Sequence, residues 1–162
     1  MRRFLVGALL LPALAGCGER VTYTGWGVTP PARVEAMYPG PTRVGAPAQI
    51  TFTFANDRPT AVEKIIIHVR DGECLPFDAF CRPVPALFNG FVLSRTEPAY
   101  TRDLIHARYR AFDFPGVAPG DTQTVVLHLT ARIAGEYLVE TYIDDERGAQ
   151  IGGFRGQIVI LP

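Results

Sequence analysis

The stretch Tyr137–Ile143, which reads Tyr-Leu-Val-Glu-Thr-Tyr-Ile, decides the fold class. One set of alternate residues is Tyr137, Val139, Thr141 and Ile143, and the polar residues Glu140 and Tyr142 lie between them. In a β-strand, alternation of this kind places one set on a buried face and the other toward water. No window of comparable length shows the 3.6-residue period of a helix. The sequence therefore predicts an all-β protein.

Similar stretches lie on the N-terminal and C-terminal sides of this one, separated by residues typical of turns. Alternating runs cover residues 50–54, 64–70, 125–130 and 158–160. Residues 56–59, Asn-Asp-Arg-Pro, separate the first two runs, and residues 145–148, Asp-Glu-Arg-Gly, are typical of a hairpin loop. Pro119-Gly120 suits the centre of a type II turn, because proline fixes φ and glycine accepts a positive φ. Short strands with this spacing predict a sandwich or a barrel.

Part of this pattern resembles bacterial immunoglobulin-like domains. The matching features are Gly-Ala-Pro-Ala at 45–48, a strand ending at Asn56, Pro-Gly-Asp at 119–121, and Ala-Gly-Glu-Tyr at 134–137. The resemblance covers roughly residues 43–70 and 119–161, and it implies an immunoglobulin-like antiparallel sandwich. Tyr137 matches the tyrosine corner of such domains, whose hydroxyl bonds to the backbone across the end of the sandwich. The inter-sheet cysteine pair of antibody domains is absent from the pattern.

The expected sandwich domain covers residues 34–162 and has an elaborated segment at 71–118, which we interpret as two further strands plus loops. Binding sites are usually carried on such segments, so this one is the first place to expect a partner. The residues proposed for a binding surface are Tyr100, Arg108, Tyr109, Arg110 and Phe112. They are consistent with an anion or carbohydrate surface. They are equally consistent with arginine stems that cover an aromatic edge, which we favour.

The first sixteen residues have the pattern of a signal peptide that is removed on export. Arg2 and Arg3 are followed by an apolar run from Phe4 to Gly16. This run is shorter than the roughly 20 residues that a membrane-spanning helix needs. It ends in Leu14-Ala15-Gly16-Cys17, which resembles the lipobox of bacterial lipoproteins at every position.

The lipobox resemblance implies a specific address for the chain. In the family, the cysteine receives a diacylglyceryl group and becomes the new N-terminus, so Cys17 is the expected lipidation site. Two acyl chains anchor a protein stably to a membrane. Residues 17–33 would then be the acylated cysteine and a flexible tether. Gly18 stands where an aspartate tends to retain lipoproteins in the inner membrane. We therefore expect the outer membrane, facing the periplasm, if the host has two membranes.

Charge and length restrict the class of partner. The chain has 162 residues, with 16 basic and 16 acidic side chains. Removal of the first sixteen residues takes away Arg2 and Arg3 and leaves a balance close to neutral, with no basic stripe. A nucleic acid is therefore not an expected partner. The remaining length suits one domain.

Cys74 and Cys81 remain as a pair once Cys17 is assigned to lipid. Exported proteins retain disulfides, so we predict a bridge that closes this short loop. The alternatives are a reduced pair or a metal site completed by His68 and His106. A structural zinc site needs four ligands at a recognisable spacing, which this pattern does not supply, and no metal or other cofactor is expected.

No catalytic pattern stands out in the chain. Ser94 is the only serine, and it lies in neither a Gly-x-Ser-x-Gly nor a Ser-x-x-Lys motif. The carboxylates at 144–146 are interpreted as a solvated hairpin tip, with a calcium site as the alternative. We therefore expect a non-enzymatic envelope lipoprotein that binds or assembles with a protein, peptide or glycan. The alternative is an enzyme or metal-handling lipoprotein with a site near His68, His106 and the 71–118 segment.

Overall fold

The computed structural model describes residues 20–24, 33–71, 85–106 and 109–162, with the backbone alone for 20–24 and for His106. Cys17, Cys74, Cys81 and Arg108 lie outside the described residues, as do the signal peptide and most of the expected tether. The strands are β1 (Arg20–Thr24), β2 (Arg33–Met37), β3 (Thr42–Arg43), β4 (Pro47–Ala55), β5 (Val62–Arg70), β6 (Phe91–Glu97), β7 (Arg102–His106), β8 (Tyr109–Val117), β9 (Thr122–Ala131), β10 (Gly135–Asp145) and β11 (Gln150–Leu161). A four-residue helix, α1 (Leu87–Gly90), precedes β6. Of the helical segments described, none is long and apolar enough to cross a membrane.

The strands form two sheets, and the predicted immunoglobulin-like sandwich is confirmed. The five-stranded sheet has the order β1-β2-β4-β9-β6, and the six-stranded sheet has the order β3-β11-β10-β5-β8-β7. Among the described strands every pair is antiparallel except the short β3–β11 pair. The two sheets pack face to face through the apolar phase of each strand, as where the rings of Phe52 and Phe154 meet with centroids 6.1 Å apart.

The predicted alternation in β10 is present in the structure. Tyr137, Val139, Thr141 and Ile143 are buried in the core, and Glu140 and Tyr142 are half-exposed on the outer face. The tyrosine corner is also confirmed, because the hydroxyl of Tyr137 donates to the carbonyl of Ile133 at 2.9 Å. The Tyr137 ring packs directly against Gly90. Any other residue at this position would place its Cβ only 2.2 Å from the ring.

Two turns that cross between the sheets are joined by Asn56. Its side-chain amide donates to the carbonyls of Thr60 and Val117, both at 3.0 Å, and its side-chain oxygen accepts from the backbone N–H of Arg58. Its backbone also bonds to the turn between β8 and β9, where the carbonyl of Asn56 accepts from Gly120 at 2.8 Å. Gly120 has a φ of +78°, as the predicted type II turn requires. Asn56 is completely buried and holds one end of the sandwich together.

The structure differs from the sequence interpretation in two segments. Residues Arg20–Thr24 lie in the expected tether but pair with β2 over five residues. Residues 21–24, Val-Thr-Tyr-Thr, are all β-branched or aromatic, which favours a strand. The described part of the 71–118 segment contains three strands rather than two, because the apolar run at 88–93 is divided between α1 and β6, and β7 and β8 are separate strands.

Candidate functional site

The outer face of the six-stranded sheet carries a cluster of stacked aromatic side chains. His68 on β5 and Tyr142 on β10 are register partners, and their rings stack 4.1 Å apart with planes 10° from parallel. Tyr109 on β8 meets the Tyr142 ring edge-on at 4.9 Å. All three residues belong to the outward phase of their strands, which is why the pairing of β8, β5 and β10 brings them together. We call this surface the Tyr142 face.

Ion pairs hold the charged groups of the Tyr142 face in place. His68 Nε2 lies 3.1 Å from a carboxylate oxygen of Asp144, and Arg70 donates to Glu140 at 2.6 Å. Burial raises the pKa of the Asp144 carboxyl, although the neighbouring His68 opposes this shift. Burial also raises the pKa of the Tyr142 phenol, with a further contribution from Asp144. Tyr142 is therefore neutral around pH 7 and keeps its hydroxyl proton for donation.

A groove of about 400 Å³ opens beside Tyr142. Its lining residues are Glu140, Thr141, Tyr142, Gln150, Gly153, Phe154 and Arg155. Gly153 on β11 is the register partner of Tyr142 and has no side chain, so the nearest side-chain atom over that position is the Gln150 amide nitrogen. The groove therefore combines an aromatic ring with an amide, a carboxylate and a guanidinium group.

A second groove, of about 410 Å³, lies at the other sheet. It is lined by Met37, Tyr38, Pro39, Gly40, Pro41, Thr42, Pro47, Ala48, Gln49 and Thr51. None of these residues is charged, and the one aromatic residue, Tyr38, is only 3% exposed. The chemistry of a specific site, which combines apolar surface with a few placed polar groups, favours the groove beside Tyr142.

The predicted binding surface is divided by the structure. Phe112 is completely buried in the core, which corrects its assignment to a surface. The reason is its phase, because β8 turns Phe112 toward the other sheet. Tyr100 is 39% exposed but tilts against Phe112 with ring centroids 5.5 Å apart. Only Tyr109 contributes to the Tyr142 face, and Arg108 lies outside the described residues.

Arg110 covers an aromatic edge, as the second of the two sequence interpretations describes. Its guanidinium carbon lies 5.3 Å from the Phe88 ring centroid and 5.0 Å from that of Phe112. Two hydrogen bonds, of 3.0 and 2.6 Å, join the guanidinium to Asp103. A cation fixed on both sides in this way closes the edge of the core.

The hairpin carboxylates at 144–146 have three different partners. Asp144 faces His68, and Glu146 accepts from the backbone N–H of Glu63 at 3.2 Å. Asp145 is only 2% exposed and accepts from Arg58 at 2.9 Å. The interpretation of these residues as a solvated tip is therefore wrong for Asp145. The signal was present in the sequence, because Asp145 continues the buried phase that includes Ile143.

The remaining candidates are divided between the two sheets. His128 lies in the five-stranded sheet, where its ring contacts Gln49 at 3.2 Å. Ser94 is in that sheet too, and its hydroxyl contacts Thr130 at 2.9 Å. The backbone of His106 belongs to β7. Over the ranges that the structure describes, no three histidine, cysteine, aspartate or glutamate side chains are placed to hold a metal ion.

Comparisons with known proteins assign the chain to no family. No family model and no curated protein matches it. Among solved structures, a cohesin module from a Clostridium perfringens family 33 glycoside hydrolase is 9% identical, with a TM-score of 0.46 over 90% of this chain and 97% of that one. A PapD-like domain of human CEP192 is 14% identical, with a TM-score of 0.35 over 98% of this chain and 96% of that one. Neither likeness carries an argument about this chain.

Proposed function

We propose that the protein is a lipid-anchored, non-enzymatic binding module of the bacterial cell envelope, which meets its partner through the Tyr142 face. The observation that carries the proposal is the stack of His68, Tyr142 and Tyr109 beside an open groove. The stack is built on strands of one rigid sheet, so its geometry is set before a partner arrives. Aromatic side chains held in this way supply contact area at a low cost in conformational entropy.

A binding role agrees better with the face than catalysis does. His68 and Asp144 form a pair that could exchange a proton, and this pair is the feature that favours the alternative of an enzyme. The single serine of the chain, Ser94, lies in the other sheet, away from that pair. Two other charged groups of the face, Arg70 and Glu140, are joined to each other. Groups fixed in this way orient a ligand rather than attack it.

The proposed membrane anchor of the module is the acylated Cys17. We expect Cys17→Ser to abolish incorporation of labelled palmitate and to leave residues 1–16 attached, because acylation of the thiol precedes cleavage in the lipoprotein family. Labelling in the native host, followed by mass spectrometry of the N-terminus, measures both effects. Cys74→Ser makes the same change outside the lipobox and should leave labelling intact. A Cys17→Ser protein that still carries label would contradict the proposed anchor.

The binding role is tested by mild crosslinking of the acylated protein in its own envelope. We expect the wild-type protein to give one stoichiometric crosslinked species, and a Tyr142→Ala/Arg155→Ala variant to lose most of it. The control is Thr53→Ala/Thr124→Ala, a pair of register partners in the five-stranded sheet, which should crosslink as the wild type does. If both double variants behave alike, the Tyr142 face is not the binding surface.

A further inference from the structure

The Tyr142 ring has one side stacked on a neighbouring strand's side chain and one side that faces a groove. His68 on β5 stacks against one side of the ring at 4.1 Å. The strand on the opposite side is β11, and the residue there in register with Tyr142 is Gly153. Because Gly153 has no side chain, only the flexible end of Gln150 lies over that position, and this side of the ring borders the groove of about 400 Å³. Ligand sites for small molecules begin at volumes of roughly 300 Å³, so the groove is large enough for a sugar ring.

Planar polar groups stand around this side of the ring. Arg155 and Gln150 are exposed on β11 and line the groove together with Glu140. Within the described part of the chain, no ion pair or hydrogen bond joins the Arg155 guanidinium to another residue. The Gln150 amide makes one long hydrogen bond, 3.3 Å to the carbonyl of Gly152. A guanidinium donates through a fixed fork and an amide both donates and accepts, which suits a pair of neighbouring hydroxyl groups.

We infer that the groove beside Tyr142 binds a pyranose ring of an envelope glycan, stacked on the groove side of Tyr142 and bonded through its hydroxyls to Arg155, Gln150 and Glu140. This inference rests on the proposed function and gives its partner a chemical class. The face of an aromatic ring carries partial negative charge, and it attracts the C–H groups that line one face of a pyranose. The hydroxyls around the sugar then meet the polar groups around the groove.

Other ligand classes fit the groove less well. An apolar side chain of a protein partner would take Arg155 and Gln150 out of water without giving them hydrogen-bond partners, which is unfavourable. A strongly anionic ligand would be attracted by Arg155 but repelled by Glu140, its register partner on β10. A neutral polyhydroxylated ring can accept from Arg155 and also donate to Glu140, which already accepts from Arg70. His68 and Tyr109 hold the Tyr142 ring in place, so that little side-chain entropy is lost on binding.

The test is saturation-transfer NMR on the full acylated protein in deuterated detergent micelles, with methyl β-glucopyranoside and the N-acetylglucosamine trimer as probes. Irradiation of aromatic protons should transfer saturation to the protons on one face of the sugar. We expect Tyr142→Ala to weaken binding at least about tenfold. Gly153→Leu should abolish it, because the added side chain fills the groove. A Cβ at Gly153 meets only the flexible end of Gln150 at 3.1 Å and a carbonyl of Thr141 at 3.8 Å, so the fold should accept the change.

The matched control is Thr53→Leu, which puts the same side chain into the five-stranded sheet and should leave saturation transfer unchanged. The inference would be overturned if neither probe received saturation at tens of millimolar. It would also be overturned if saturation transfer to the probes survived both Tyr142→Ala and Gly153→Leu. Failure here is distinguishable from failure of the proposed function. If the sugars do not bind but crosslinking in the envelope still depends on Tyr142 and Arg155, the binding module stands and its partner is not a glycan.

Discussion

Replacement of Asn56 by aspartate is expected to lower the free energy of unfolding by about 3–5 kcal/mol at pH 7. The Asn56 amide nitrogen donates to the carbonyls of Thr60 and Val117, both at 3.0 Å, in a completely buried position. A carboxylate of the same shape would turn an acceptor toward two acceptors and would bury a negative charge. Urea unfolding of wild type and Asn56→Asp, followed by circular dichroism, measures the difference.

The loss of stability caused by Asn56→Asp should depend on pH, and the contacts of the side chain determine the direction. Burial and the two carbonyls raise the pKa of the introduced carboxyl above its unfolded value of about 3.9. The destabilisation is therefore full above this raised pKa and shrinks as the pH falls through it. Asp57→Asn is the control, because Asp57 forms an exposed pair with Arg33 and should change stability by less than about 1 kcal/mol. An Asn56→Asp protein as stable as that control at pH 7 would contradict the role of Asn56.

The sequence predicted those parts of the fold that local chemistry determines. The alternation in β10 assigns Tyr137 and Val139 to the core and Tyr142 to the outer face, and the structure agrees at each position. Gly120 and Gly148 adopt φ values of +78° and +74° in the turns where they were expected. A strand period and a turn conformation involve few residues, all close in sequence, so they are visible without a structure.

The site depends on strand pairing, which the local pattern does not contain. The outward phase of β5 and β10 can be read from the sequence, but their register cannot, and it is the register that places His68 against Tyr142. The pairing of β10 with β11 likewise places Gly153, which has no side chain, next to Tyr142. An aromatic residue on the polar phase of a strand, such as Tyr142 or Tyr109, is the one local signal that could have indicated the face.

The burial of Phe112 was not predicted from the sequence. The run around it puts Arg108 and Arg110 on the same phase as Phe112, so the sequence did not show that this phase was buried. The structure buries Phe112 and uses Arg110 to cover it, at 5.0 Å from the ring centroid. The pairing of Cys74 with Cys81 and the acylation of Cys17 lie outside the described residues and stay predictions.

Replacement of Asp145 by alanine is expected to cost about 3–5 kcal/mol, because it leaves a buried cation without its partner. The Asp145 carboxylate accepts from Arg58 at 2.9 Å and from the backbone N–H groups of Arg147 and Ala149, each at 3.0 Å. The Arg58 side chain is 14% exposed, so water cannot fully replace the lost contact. Urea unfolding of Asp145→Ala, of Arg58→Met and of the double variant forms a cycle that isolates the pair.

The free energy of unfolding of the double variant should fall by less than the sum of the two single decreases. The reason is that removal of both side chains leaves no unpaired cation. The pH dependence provides a second check. Burial raises the pKa of the Asp145 carboxyl, but the hydrogen bonds from Arg58 and the backbone outweigh it and hold the pKa below the ordinary value. The stabilisation from Asp145 is therefore present above about pH 4 and is lost as the pH falls through the lowered pKa. The gap between wild type and Asp145→Asn should close in that acid range, whereas a gap that stays constant would show that charge does not hold the hairpin to the β4–β5 turn.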